Sequence, residues 1–130
     1  MRDKAYRLLL ELIVDDLQKY TEAYLPEEAV ALITDKGCIH PLINQRRSKH
    51  QFMVSTTLVK EAIEEIHYRG DRAVAIFHSH PTSSANPSDA DKEMMQQADD
   101  TVFMILGTDR LSAYMWEDGE AKEIARTRLE

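Results

Sequence analysis

The chain has 130 residues, 43% apolar and 30% charged, with four Gly and four Pro; one folded domain over residues 1–130 is expected, and disordered, collagen-like and eight-fold barrel architectures are excluded. Sixteen Lys and Arg against 23 Asp and Glu give a formal charge of −7, so no nucleic-acid partner is expected, because phosphate binding draws its affinity from cations. A lone Cys38 excludes an intrachain disulfide and a Cys-rich metal knuckle. Cys38 itself reads as a small buried filler.

Near the N-terminus, Tyr6, Leu9, Leu10, Ile13, Leu17, Tyr20 and Tyr24 recur every three or four residues, the stripe of an amphipathic helix over roughly 3–24. Glu11, Asp15 and Asp16 interrupt the segment, so neither a signal peptide nor a membrane span is expected, and a reducing cytoplasm is the default setting. Leu25-Pro26 ends the helix. The run Ala29–Thr34 reads as a buried strand, with Asp35-Lys36-Gly37 as its turn. Short strands are expected around Ile39–Asn44 and Phe52–Ser55, with the basic cluster Arg46, Arg47, Lys49 between them as a solvated loop. A second helix starts near Ser55 or Thr56, carries Leu58, Val59, Ala62, Ile63 and Ile66 on one face, and stops before Gly70. Ala73–Phe77 is a further apolar strand running into His78-Ser79-His80-Pro81. A polar loop, Thr82–Pro87, precedes a third helix at about 88–98. Val102–Leu106 and Leu111–Trp116 read as a hairpin, with Trp116 in the core, and Asp118-Gly119 turns into a last strand near Ala121–Arg126. This interspersion predicts an α/β (mixed α+β) fold, a mixed sheet with helices packed on it.

The chemistry concentrates in one segment. His78 and His80 stand at i and i+2 on an extended stretch and so project to the same side. Paired imidazoles are good zinc ligands, and Asp91, in the first turn of the next helix, can reach back toward them. Two imidazoles and one carboxylate leave the fourth tetrahedral position for water, the mark of a catalytic zinc site. Ser88-x-x-Asp91 is equally a capping box, a helix start that needs no chemistry. The four residues together recur by chance about once in a thousand such chains. His67 sits where a helix C-terminus favours positive charge, and His40 and His50 read as loop or strand-edge residues.

The pattern His-Ser-His-Pro, with Ser88 and Asp91 at these spacings, resembles the signature of the JAMM (MPN+, Mov34/PAD-1) zinc metalloprotease family: His-x-His, seven residues, Ser, two residues, Asp. Pro26-Glu27-Glu28-Ala29-Val30-Ala31-Leu32 is similar to that family's Pro-x-Glu-x-Cys-Gly-Leu stretch, with Val30-Ala31 in place of Cys-Gly. Pro41-Leu42-Ile43-Asn44 and Phe52 resemble a segment of stand-alone prokaryotic members. The resemblance spans roughly residues 5–125. It implies a cytidine-deaminase-like fold, Zn2+ held by His78, His80 and Asp91, Glu28 as general base, and Ser88 as hydrogen-bond donor to the oxyanion. The implied activity is hydrolysis of a peptide or isopeptide bond, with a ubiquitin-like or sulfur-carrier protein cleaved after its C-terminal Gly-Gly as one substrate class. Phage-tail or cell-wall peptide hydrolysis is another reading within the family. A catalytically silent, protein-binding relative is a reading of a different class, although such relatives usually lack a ligand. Zinc-dependent deamination needs His-x-Glu and Pro-Cys-x-x-Cys, which a chain with one cysteine does not have.

Overall fold

The first helix follows from its spacing of apolar residues. In the structure, a computed structural model that describes residues 1–44 and 55–129, α1 (Arg2–Glu22) buries Leu10, Ile13, Val14, Leu17 and Thr21 along one face. The rest of the chain runs β1 (Val30–Thr34), β2 (Ile39–Leu42), α2 (Thr56–Tyr68), β3 (Ala73–Ser79), α3 (Asp89–Gln97), β4 (Phe103–Leu106), β5 (Arg110–Glu117) and β6 (Glu120–Arg128). This is the expected mixed α/β architecture. The expected strand at Phe52–Ser55 falls largely outside the described residues; Ser55 itself caps α2, accepting a hydrogen bond from the Leu58 N–H. No helix among the described residues is long and apolar enough to cross a membrane.

The six strands form one sheet in the order β2-β1-β3-β4-β5-β6. Every pairing is antiparallel except β3 with β4, which run parallel with α3 as their crossover. Side-chain alternation splits the sheet into two faces. Ala29, Ala31 and Ile33 of the first strand region, Ala75 and Phe77 of β3, Met104 of β4 and Ala113 of β5 form the core under α1. On the opposite face, Val30, Leu32 and Ile76 pack with Ala62 and Ile66 of α2, while Phe103, Ile105 and Tyr114 pack with Met95 of α3. Phe77 is wholly buried, so it anchors the α1 face directly beside the histidines. The β5–β6 hairpin turns at Asp118 and Gly119, with φ of 53° and 78°, a pair of positive values that suits Asp-Gly.

Two expectations are corrected. Cys38 is exposed rather than a buried filler, because it follows the β1–β2 turn, where its N–H donates to Thr34 Oγ1 at 3.0 Å. Trp116 is half-buried, packed against the margin of the α3 cluster rather than enclosed in the core.

Candidate metal centre

The register of two strands assembles the site. In the antiparallel pair of β1 and β3, Ala31 faces Phe77 and Val30 faces His78. The pairing continues past the end of β1: Ser79 N–H donates to the Ala29 carbonyl at 3.0 Å, and Ala29 N–H donates to Ser79 Oγ at 2.8 Å. One step further places Glu28 opposite His80. Glu28, Val30, His78 and His80 therefore share the face of the sheet away from α1. The structure so brings together Glu28 and the two histidines, 50 residues apart in the chain, and all three are buried.

Helix α3 supplies the rest. Ser88 is its N-cap, and the capping box is complete: Asp91 N–H donates to Ser88 Oγ at 3.1 Å and Ser88 N–H donates to Asp91 Oδ2 at 2.9 Å. The capping reading of this pair is thus correct, and it is also the device that aims the Asp91 carboxylate at the sheet. Asp91 Oδ1 lies 3.1 Å from His78 Nε2, and Oδ2 lies 3.0 Å from His80 Nε2. The two rings are 5.1 Å apart between centroids. One ligand atom each from Glu28, His78 and His80 also lie within 4.8 Å of one another.

The electrostatics separate the roles of the four groups. Burial pushes Glu28 up to about 7; His80 draws it back and Asp91 adds to the rise. Burial likewise opposes ionisation of Asp91, but His78, His80 and the Ser88 N–H outweigh it and hold the carboxyl well below its usual range. Burial keeps His78 below the ordinary imidazole value despite Asp91. His80 is also desolvated, yet Asp91 and the Ser84 carbonyl lift it above that value. The chain therefore presents one firmly ionised carboxylate, a neutral imidazole, and a second carboxyl poised to exchange a proton near neutrality.

The His80 ring is oriented from behind. Its Nδ1 donates to the Ser84 carbonyl at 2.8 Å, because a carbonyl can only accept. That leaves Nε2 as the nitrogen directed at Asp91. On the other side, the buried Asn44 amide donates to the Glu28 backbone carbonyl at 3.0 Å. Asn44 fastens the chain just before β1 and so fixes where Glu28 begins. Neither Ser84 nor Asn44 has a role readable from local pattern. For Asn44 the only signal is the Pro41-Leu42-Ile43-Asn44 stretch, and that names no partner. His40 lies on β2 at the sheet edge, its Nδ1 3.0 Å from the Arg69 guanidinium, away from the site.

The geometry suits a divalent cation. Glu28 Oε1 is buried without a hydrogen-bond partner among the described residues, a costly state unless something positive occupies the space it faces. Ligand atoms on a tetrahedral zinc with bonds of about 2.0–2.1 Å stand about 3.3 Å apart, close to the spacing between the Asp91 oxygens and the two Nε2 atoms.

Comparison with known proteins gives three findings. Residues 11–123 match the family profile of prokaryotic homologs of the JAB domain. A 71-residue stretch is 37% identical to a desampylase from Haloferax volcanii; it covers 54% of this chain and 48% of that protein, so the chain spans about half the length of this curated relative. The solution structure of a Desulfitobacterium hafniense protein superposes with a TM-score of 0.66 at 21% identity, over 89% of this chain and 90% of the other, a likeness of fold.

Proposed function

Since the chain belongs to the family of prokaryotic JAB-domain homologs, the one whose signature the His78–Asp91 segment resembles, we propose that it is a zinc-dependent isopeptidase or peptidase. The observation that carries this reading is the convergence of His78, His80 and Asp91 on one point, with the buried oxygen of Glu28, unpartnered among the described residues, beside it. His78, His80 and Asp91 would hold Zn2+. A bound zinc supplies Lewis acidity, which acidifies water and polarises a carbonyl.

The chain's own residues do the remaining work. Glu28, with its carboxyl near 7, takes a proton from the attacking water and returns it to the departing amine, a task that needs a pKa near the working pH. The Ser88 hydroxyl accepts from Asp91 N–H and retains its own proton, which it donates to the oxyanion as the carbonyl carbon becomes tetrahedral. Such a donor is typically worth about 3 kcal/mol. Asp91 holds the two imidazoles and the start of α3 in one geometry. The buried face around His78 keeps bulk water from competing with these contacts.

For substrate, we propose a protein carrying a ubiquitin-like or sulfur-carrier module, cleaved after its C-terminal Gly-Gly. The name of the Haloferax volcanii relative supports a protein modifier as the class. The test uses a ubiquitin-like sulfur carrier fused through its Gly-Gly terminus to a reporter. The zinc-loaded chain should release the reporter, the chelated chain should not, and Glu28→Gln should bind zinc without turnover. A fusion bound but left intact by the zinc-loaded protein overturns the hydrolase reading in favour of a binding module, and one neither bound nor cleaved overturns the substrate class.

A further inference from the structure

His80 is aimed by a carbonyl on the loop between β3 and α3, so its placement depends on what holds that loop. Three residues of the loop, Ser83, Ala85 and Asn86, are fastened by the β4–β5 hairpin. Thr108 N–H donates to the Ser83 carbonyl at 2.8 Å. Ala85 N–H donates to Asp109 Oδ1 at 2.9 Å, and Tyr114 Oη donates to the Ala85 carbonyl at 2.9 Å. The Arg110 guanidinium donates to Asn86 Oδ1 at 2.8 Å and is itself held by Glu123 Oε2 at 3.1 Å. Between them the backbone of Gly107 is pressed against the loop: a Cβ on Gly107 would stand 2.1 Å from Ala85 N and 2.4 Å from the Ser84 carbonyl carbon. Only glycine admits that approach.

These bonds serve no hydrophobic purpose, and they bracket one atom. The Ser84 carbonyl, flanked on both sides by tethered residues, is the acceptor for His80 Nδ1–H. Fixing that acceptor fixes the ring's orientation and its tautomer, and directs Nε2 at the metal position. We propose that Asp109, Tyr114 and Gly107 are positioning residues: a clamp on the Ser83–Asn86 loop that sets His80 as a metal ligand. The loop also leads directly into Ser88 and Asp91, so the same clamp sets the entry to α3. This proposal rests on the metal reading above.

The experiment measures zinc affinity by competition with a chromogenic chelator, in the full chain. Asp109→Ala should weaken zinc binding, by up to the about 10- to 100-fold that losing a ligand's own hydrogen-bond partner costs. Asp109→Asn, whose side-chain oxygen can still accept from Ala85 N–H, should recover most of it. Tyr114→Phe should fall between them. Arg126→Ala is the control: Arg126 hydrogen-bonds Glu123 Oε1 and, among the described residues, no residue of the loop, and its affinity should equal the parent's. In long-range nitrogen spectra of the zinc-loaded parent, His80 should show a protonated Nδ1 in slow exchange with water, and Asp109→Ala should speed that exchange. Should Asp109→Ala fail to fold, the comparison of Asp109→Asn and Tyr114→Phe with the parent decides in the same way. A folded Asp109→Ala, or in its absence Tyr114→Phe, with parental affinity and parental His80 signals overturns the clamp while leaving the metal site standing. A parent chain that takes up no zinc overturns the site itself, and the clamp with it.

Discussion

Replacing Glu28 by Gln in the metal-free protein isolates the behaviour of one buried carboxyl. Burial lifts Glu28 from 4.5 to about 7, so the folded chain keeps a proton that the unfolded chain has already released. A carboxyl raised on folding contributes stability that is fully present below its unfolded value and is lost as pH rises through about 7. At about 1.4 kcal/mol per pH unit the interval is worth roughly 3 kcal/mol. The value of about 7 already includes the pull of His80 toward ionisation. Glutamine is neutral throughout, so Glu28→Gln should gain on the parent by about 2–3 kcal/mol between about pH 5 and about pH 8. Urea unfolding followed by circular dichroism, run on chelator-treated protein at both pH values, gives the two differences; subtraction cancels to first order the slopes due to His78, His80 and Asp91. A parent–variant difference that does not change with pH would refute the claim that Glu28 is held protonated by its surroundings, and with it the argument for its role as base.

Three further expectations follow from particular contacts. Asp91→Ala removes the partner of two imidazoles and should abolish zinc retention in metal analysis while lowering stability by several kcal/mol, the usual scale for breaking a buried charged pair; retained stoichiometric zinc would remove Asp91 from the ligand set. Ser88→Ala removes a helix cap and the proposed oxyanion donor, and should cost about 1 kcal/mol in melting experiments and about 100- to 1,000-fold in kcat. Ser88→Asp should recover the cap and not the turnover, and equal recovery of both would assign Ser88 to capping alone. Asn44→Leu leaves the Glu28 carbonyl without its amide donor and should cost about 1–3 kcal/mol. Its zinc affinity should be unchanged and its kcat reduced, whereas a parental kcat would show that the base needs no such anchor.

The sequence made the elements and the His-x-His arrangement legible because both depend on neighbours a few residues away. Strand alternation alone puts His78 and His80 on one side, and the capping box alone puts Asp91 in the first turn of α3. Glu28 is different. Its place beside His80 depends on the register of a strand pair 50 residues apart, which no periodicity encodes; only the family's Pro-x-Glu stretch pointed to it. The Asn44 anchor and the Asp109–Tyr114 clamp were likewise out of reach, since each joins a polar side chain to a backbone group brought near by the sheet order. Cys38 and Trp116 were misplaced for a related reason. Hydrophobic character predicts a tendency to be covered, but how far each side chain is enclosed is set by topology: Cys38 comes out exposed after the β1–β2 turn and Trp116 lies at the margin of the α3 cluster.

The antiparallel junction of β1 and β3 carries a consequence for how such a catalyst can be lost. Strand faces alternate with every residue, so a single inserted or deleted residue between Glu28 and Val30 would swing the carboxyl through the sheet to the α1 side. The apolar residues of β1 could keep their own pairing, and the protein would remain folded. The residues proposed to hold zinc, on β3, just past its end and on α3, would be undisturbed. The outcome would be a metal-loaded, stable and inert chain: activity in this architecture can be switched off by a change of parity, without touching any residue that binds or reacts.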